Sequence, residues 1–188
     1  SSEGILECFK HVLKEFGYPP KDDRAIYNTI GMTLVDAFDL LTDMPDNPQR
    51  EDMRKAYVKK ADEVMVKKTY FYDDTIAILQ TLQNAGVKVG IVSTKYRYRI
   101  VNTFNEQAGS LPVDIIVGGE DVTRAKPDPQ GLDLIIERFG ADKSDVLYIG
   151  DSYIDAETAL NSGVDFAGVT TGSTTKEDFE KYLSLIHI

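Results

Sequence analysis

From Asp73 onward the chain alternates helix-length amphipathic segments with short apolar runs, and this alternation leaves few folds open. Val87-Lys88-Val89-Gly90-Ile91-Val92, Asp114 to Val117, Asp145 to Ile149 and Asp165 to Val169 read as strands. Between and around them lie segments of helical period such as Asp73 to Ala85, with Gly86 as its terminating glycine, and Gln130 to Phe139. Such a succession implies right-handed crossovers and a parallel sheet with helices on both faces. Ligands bind these sheets beyond the carboxyl ends of the strands, so chemistry is expected in the residues just after each apolar run.

The first 72 residues carry no strand pattern. Ile5, Phe9, Val12, Leu13 and Phe16 recur at helical spacing until Gly17-Tyr18-Pro19-Pro20, and Thr33 to Leu41 and Gln49 to Val66 repeat the period around Pro45-Asp46-Asn47-Pro48. The expectation is a helical domain over residues 1–72 and an α/β domain over 73–188, which 188 residues suffice to build. No apolar run approaches the roughly 20 residues that span a bilayer, and Ser1-Ser2-Glu3-Gly4 lacks the parts of a signal peptide. A cytoplasmic protein with no membrane partner is expected. With 31 acidic against 21 basic side chains, a net charge of -10 and no long basic run, a nucleic-acid partner is not expected, and small ligands are. The single cysteine, Cys8, excludes an intramolecular disulfide and a multi-cysteine zinc site, and His11 and His187 offer little for a histidine metal centre.

Three of the strand ends carry polar residues. Ser93-Thr94-Lys95 follows the first strand; Gly118-Gly119-Glu120-Asp121 and then Lys126-Pro127 follow the second; Gly150-Asp151-Ser152 with Asp155 follows the third. Each also has an architectural reading: Ser93 or Thr94 as the cap of the next helix, Lys126-Pro127-Asp128-Pro129 as a rigid turn, and Ser152 with Asp155 as a capping box. Together, a hydroxyl, a lysine and an acidic pair at one sheet edge suit a phosphoryl group. Ser93 and the Thr94 amide supply donors, Lys126 balances charge, and Asp151 with Asp155 holds Mg2+. No P-loop or Gly-x-Gly-x-x-Gly sequence occurs, and the order of hydroxyl, lysine and acids differs from that of a response-regulator receiver.

The order Val-Gly-Ile-Val-Ser-Thr-Lys, Gly-Gly-Glu-Asp-Val-Thr-Arg-Ala-Lys-Pro-Asp-Pro and Tyr-Ile-Gly-Asp-Ser-x-x-Asp resembles the haloacid dehalogenase superfamily, in its phosphoglycolate phosphatase-like branch. The resemblance implies a Rossmann-like parallel sheet core with an α-helical cap, and a Mg2+-dependent phosphatase acting on a small phosphorylated metabolite. It maps Ser93 onto the phosphate-binding hydroxyl, Lys126 onto the motif lysine, and Asp151 and Asp155 onto the metal-binding acidic pair. Gly31-Met32-Thr33 falls at a loop between early cap helices.

The first motif of that superfamily, an Asp-x-Asp at the end of a strand preceding the cap, has no counterpart here. In the family it supplies the nucleophile and the acid for the leaving group, so this chain is expected to be a truncated form without turnover. The same segment contributes the central strand, between those ending at Val92 and Ile149, and its absence leaves two inner edges unpaired and a chain of low stability. A pseudo-enzyme that keeps a phosphate or Mg2+ site, or a phosphomutase, pyrophosphatase or dehalogenase of the same superfamily, are the alternatives. Residues 183–188 read either as a non-native tail or as the end of a last helix with Phe179, Tyr182, Leu183 and Ile186 on one face.

Overall fold

A computed structural model describes residues 2–172 and 174–182 and the backbone of 186–187. Its elements run α1 (Ser2–Glu15), α2 (Asp23–Tyr27), α3 (Leu34–Leu41), α4 (Arg50–Val64), α5 (Thr75–Asn84), β1 (Gly90–Val92), α6 (Arg97–Ala108), β2 (Ile115–Val117), α7 (Gln130–Phe139), β3 (Leu147–Gly150), α8 (Tyr153–Ser162), β4 (Asp165–Gly168), α9 (Lys176–Phe179) and β5 (Ile186–His187). The chain divides into two compact units, one of Ser1–Ile78 with Tyr98–Leu111 and one of Leu79–Arg97 with Pro112–Ile188. Among the described residues no helix is long and apolar enough to cross a membrane.

The first unit is helical. The apolar period of α1 turns Cys8, Phe9, Val12 and Leu13 into a core shared with Phe38 and Leu41 of α3 and with Met53, Tyr57 and Ala61 of α4. Phe9 lies at its middle, its ring 5.1 Å from Phe38 and 4.8 Å from Tyr57. α1 stops because Gly17 adopts a left-handed φ of 76°, which lets the Tyr18 N–H reach back to the Leu13 carbonyl at 2.8 Å. Thr33 caps α3 through its hydroxyl, which accepts from the Asp36 N–H at 3.2 Å. Between α3 and α4 the buried Asn47 ties the turn: its Nδ2 donates to the Tyr18 and Thr42 hydroxyls, both at 2.9 Å, and its Oδ1 accepts from the Gln49 N–H at 2.8 Å. Asn47→Ala strips that turn of three hydrogen bonds, and urea titration is expected to read a loss of about 1–3 kcal/mol for the buried group left unmet.

Residues 98–111 pack with this helical unit. The Arg99 guanidinium donates to the Val58 carbonyl at 2.7 Å and to Asp62 at 2.8 Å, and Phe104 lies 4.6 Å from Phe71. Arg99 is thus a structural partner of α4.

The second unit is α/β. β1 and β2 form one parallel ladder, Gly90 opposite Ile115 through Val92 opposite Val117. β3, β4 and β5 form a second, also parallel, with Leu147 opposite Asp165 and Ala167 opposite Ile186. Among the described residues no ladder joins β1 to β3. Gly131 lets α7 sit close on the first ladder, since a Cβ there would stand 3.1 Å from Val92 Cγ1. Leu132 and Ile136 of α7 meet Ala156 and Ala159 of α8, Phe166 of β4 and Phe179 of α9 in the core.

Strand lengths differ from the sequence reading for local reasons. Residues 87–89 do not extend β1, because the Val87 N–H closes the end of α5 on the Leu82 carbonyl and the Val89 N–H is taken by the Asp114 carboxylate at 2.8 Å. β3 begins at Leu147 because Lys143–Asp145 forms a turn of 3-10 helix. The last-helix reading is also corrected: α9 gives way to a 3-10 turn over Glu180–Tyr182, and Ile186–His187 pair with β4, whose edge offers unmet backbone groups. Residues 183–185 and 188 of the proposed tail lie outside the described residues.

Candidate active site

β1 delivers Ser93, Thr94 and Lys95 into the loop ahead of α6. The Ser93 N–H prolongs the ladder by donating to the Val117 carbonyl at 3.0 Å, and the Ser93 hydroxyl accepts from the Lys95 N–H at 3.1 Å. The capping reading of Ser93 and Thr94 is corrected here. A side chain caps from the position just before a helix, and α6 starts only at Arg97. The first N–H of that helix, on Arg97, is instead met by the Glu120 carboxylate at 2.8 and 3.1 Å.

The segment carrying Lys126 is knit by side chains. Gln130 Oε1 accepts from the Thr123 and Arg124 N–H groups, Asp128 accepts from the Gln130 N–H, and Asn161 Nδ2 donates to the Pro127 carbonyl, all at 2.8–2.9 Å. The Lys126–Pro127 peptide is cis. The turn reading therefore holds, and the same turn presents Lys126 Nζ at 2.6 Å from Asp155 Oδ1.

Beyond β3, Asp151 and the capping box follow. The Ser152 hydroxyl accepts from the Asp155 N–H at 3.3 Å, while Asp155 Oδ2 accepts from the Ser152 N–H at 3.2 Å and from its hydroxyl at 2.6 Å. The Tyr148 hydroxyl donates to Asp155 Oδ1 at 2.9 Å. Asp155, 5% exposed, thus receives four donors on two oxygens. Burial pushes its pKa up, but the Lys126 charge and bond, with the Ser152 and Tyr148 donors, outweigh that and hold it below the usual carboxylate range. Asp151 behaves oppositely: partial burial of its carboxyl and the neighbouring Asp155 charge raise its pKa, against the pull of Lys126 and Lys95. The reach of the Lys95 charge to Asp151 links the loop after β1 to the loop after β3. Gly172 lets the loop after β4 close on Asp151, since a Cβ there would stand 2.6 Å from its Cγ.

Lys126, Asp151 and Asp155 are therefore brought together, and Ser93 and Thr94 stand in the loop whose Lys95 reaches the same group. Tyr148, Lys95 and Glu120 are participants that the sequence reading did not assign. Tyr148 was legible in principle, since it lies two residues before Gly150 and strand alternation puts both on one face. A carboxylate whose pKa is raised by burial and by a like charge favours a cation beside it, and Mg2+ takes oxygen ligands from one or two carboxylates with phosphate and water completing its shell. Asp151 fits that demand. The oxygens of Asp155 are already engaged by donors.

A family model described as haloacid dehalogenase-like hydrolase matches residues 1–169. A haloacid dehalogenase-like hydrolase from Bacteroides fragilis is 46% identical in its crystal structure and superposes with a TM-score of 0.95, covering 100% of this chain and 89% of that one. Pyrophosphatase PpaX of Bacillus pumilus is 27% identical over 184 residues, 97% of this chain and 82% of its own length. A predicted phosphoglycolate phosphatase from Haemophilus somnus 129PT shares the fold at a TM-score of 0.86 and 16% identity, with 100% of this chain and 87% of that one covered.

Proposed function

Because the chain belongs to the haloacid dehalogenase-like hydrolase family, we propose that it carries the phosphate and Mg2+ site of a cytoplasmic phosphatase acting on a small phosphomonoester. The observation that carries this reading is the Lys126 to Asp155 pair at 2.6 Å, beside an Asp151 carboxyl that feels the charges of both Lys126 and Lys95. In this reading residues 1–72 act as the helical cap and the core lies within 73–188, apart from residues 98–111, which pack with the helical unit. The Ser93 hydroxyl and the Thr94 amide donate to phosphate oxygens, and Lys126 offsets their charge. Asp151 holds Mg2+, and Asp155, saturated by donors, fixes Lys126 and the start of α8. Mg2+, when bound, supplies a Lewis acid to a phosphate oxygen.

No Asp-x-Asp sequence occurs in the chain. The chain as it stands is therefore expected to hold phosphate without turning it over. Phosphoglycolate is the first substrate to try. Pyrophosphate is a second reading, favoured by the match to pyrophosphatase PpaX.

The test is Mg2+-dependent release from p-nitrophenyl phosphate, phosphoglycolate and pyrophosphate, by the chain alone and by the chain joined behind a strand bearing Asp-x-Asp. The extended chain should be active and lose at least about a hundredfold in Asp151→Asn or Lys126→Ala. Undiminished activity in either variant would remove the assignment, and turnover by the chain alone would remove the claim of inactivity.

A further inference from the structure

We infer that Glu120 is the positioning residue of the Ser93-Thr94-Lys95 loop, setting its shape for an anion from the neighbouring strand end. The inference rests on the phosphate-site reading above and adds a residue to it. Three observations carry it. First, the Glu120 carboxylate accepts from the Arg97 N–H through both oxygens, at 2.8 and 3.1 Å, and so fixes the point at which the loop becomes α6. Second, the Gly119 N–H donates to the Lys95 carbonyl at 3.0 Å, and Asp121 accepts from the Gly118 N–H at 2.8 Å while pairing with the Arg97 side chain at 3.3 Å. Third, the two loops touch with no room for a side chain between them. A Cβ on Gly119 would stand 2.6 Å from the Thr94 carbonyl oxygen, and one on Gly118 would stand 2.5 Å from the Arg97 nitrogen. Residues 118–121 are thus a mould against which residues 93–97 are cast.

The sign of the charge separates this role from simple electrostatics. Glu120 is an anion at the edge of a site proposed for an anion, so by Coulomb repulsion alone its removal strengthens phosphate binding. If Glu120 positions the loop, removing its acceptor atoms weakens binding instead. A neutral side chain that keeps an acceptor oxygen preserves it.

The experiment follows amide signals of the chain by NMR, with inorganic phosphate as the probe in the presence of Mg2+, in wild type and in Glu120→Ala, Glu120→Gln and Gly119→Ala. Far-UV circular dichroism verifies that each variant is folded. Glu120→Ala and Gly119→Ala should weaken phosphate binding about tenfold, and in Glu120→Ala the Arg97 amide should exchange with solvent about tenfold faster. Glu120→Gln should stay within about twofold of wild type in affinity, since its amide oxygen still accepts from the Arg97 N–H. Tighter or unchanged binding in Glu120→Ala overturns the inference, as does an Arg97 amide that exchanges at the wild-type rate. Wild type that takes up no phosphate overturns the phosphate-site reading, and the Arg97 exchange rates then decide alone whether Glu120 shapes the loop.

Discussion

Lys126→Ala is expected to lower the free energy of unfolding by about 3–5 kcal/mol, the cost of leaving a buried charge without its partner. The side chains of Lys126 and Asp155 are only 12% and 7% exposed, so water does little to replace the lost ammonium. The pH dependence gives a second reading of the same pair. The pKa of Asp155 is depressed on folding, so its contribution is present above the ordinary carboxylate value of 3.8 and is lost as pH falls through the lower folded value. In Lys126→Ala burial dominates and Asp155 takes up its proton at higher pH. The stability gap between wild type and variant should therefore be widest near neutrality and close in acid. Guanidinium titrations at pH 7 and near pH 3 measure it, and a gap that does not narrow in acid would show that the loss comes from packing and not from the charge. The double variant Lys126→Met with Asp155→Asn should recover part of the loss, because no buried charge is left alone.

Phe38→Ala is expected to cost about 3–5 kcal/mol, and so is Phe166→Ala, since each empties the centre of a packed core. Phe38 is 0% exposed and stacks its edge on Phe9; Phe166 is 1% exposed and lies 5.9 Å from Phe179. The two residues belong to different clusters, which makes Cys8 a reporter for one of them. The Cys8 thiol is wholly buried in the helical unit, and burial pushes its pKa up to about 11. A thiol reagent should label Cys8 much faster in Phe38→Ala than in wild type, and at the wild-type rate in Phe166→Ala under native conditions. Equal labelling in the two variants would mean that both cores open together.

Much of this was legible in the sequence because the signals were periodic or local. The spacing of Phe9, Val12 and Leu13 located α1 and its buried face, and Ser152 was readable as the cap of α8. Ser152-x-x-Asp155 was read both as a capping box and as an acidic site, and its geometry serves both descriptions at once, since the carboxylate that closes the box also receives Lys126. What escaped depends on contacts distant in sequence. Glu120 caps a helix that begins 23 residues earlier, a pairing no local pattern encodes. Likewise, β1 is short because the carboxylate of Asp114 takes a backbone donor that a strand pattern assigns to a ladder. The packing of residues 98–111 with the helical unit rests on Arg99 reaching the Val58 carbonyl of α4, 41 residues earlier, a contact that no local pattern encodes.

The break between the two ladders has a consequence for handling the protein. β3 stands at one edge of its ladder with Leu147 51% and Ile149 58% exposed, among residues of high strand propensity. Among the described residues no strand pairs with the outer edge of β3, and such an edge, flanked by exposed branched apolar side chains and with no lysine or proline within Leu147–Gly150 to blunt it, is a template for self-association. Leu147→Lys or Ile149→Lys is therefore expected to reduce self-association at high concentration, which sedimentation velocity measures; sedimentation unchanged from wild type would clear this edge as its cause.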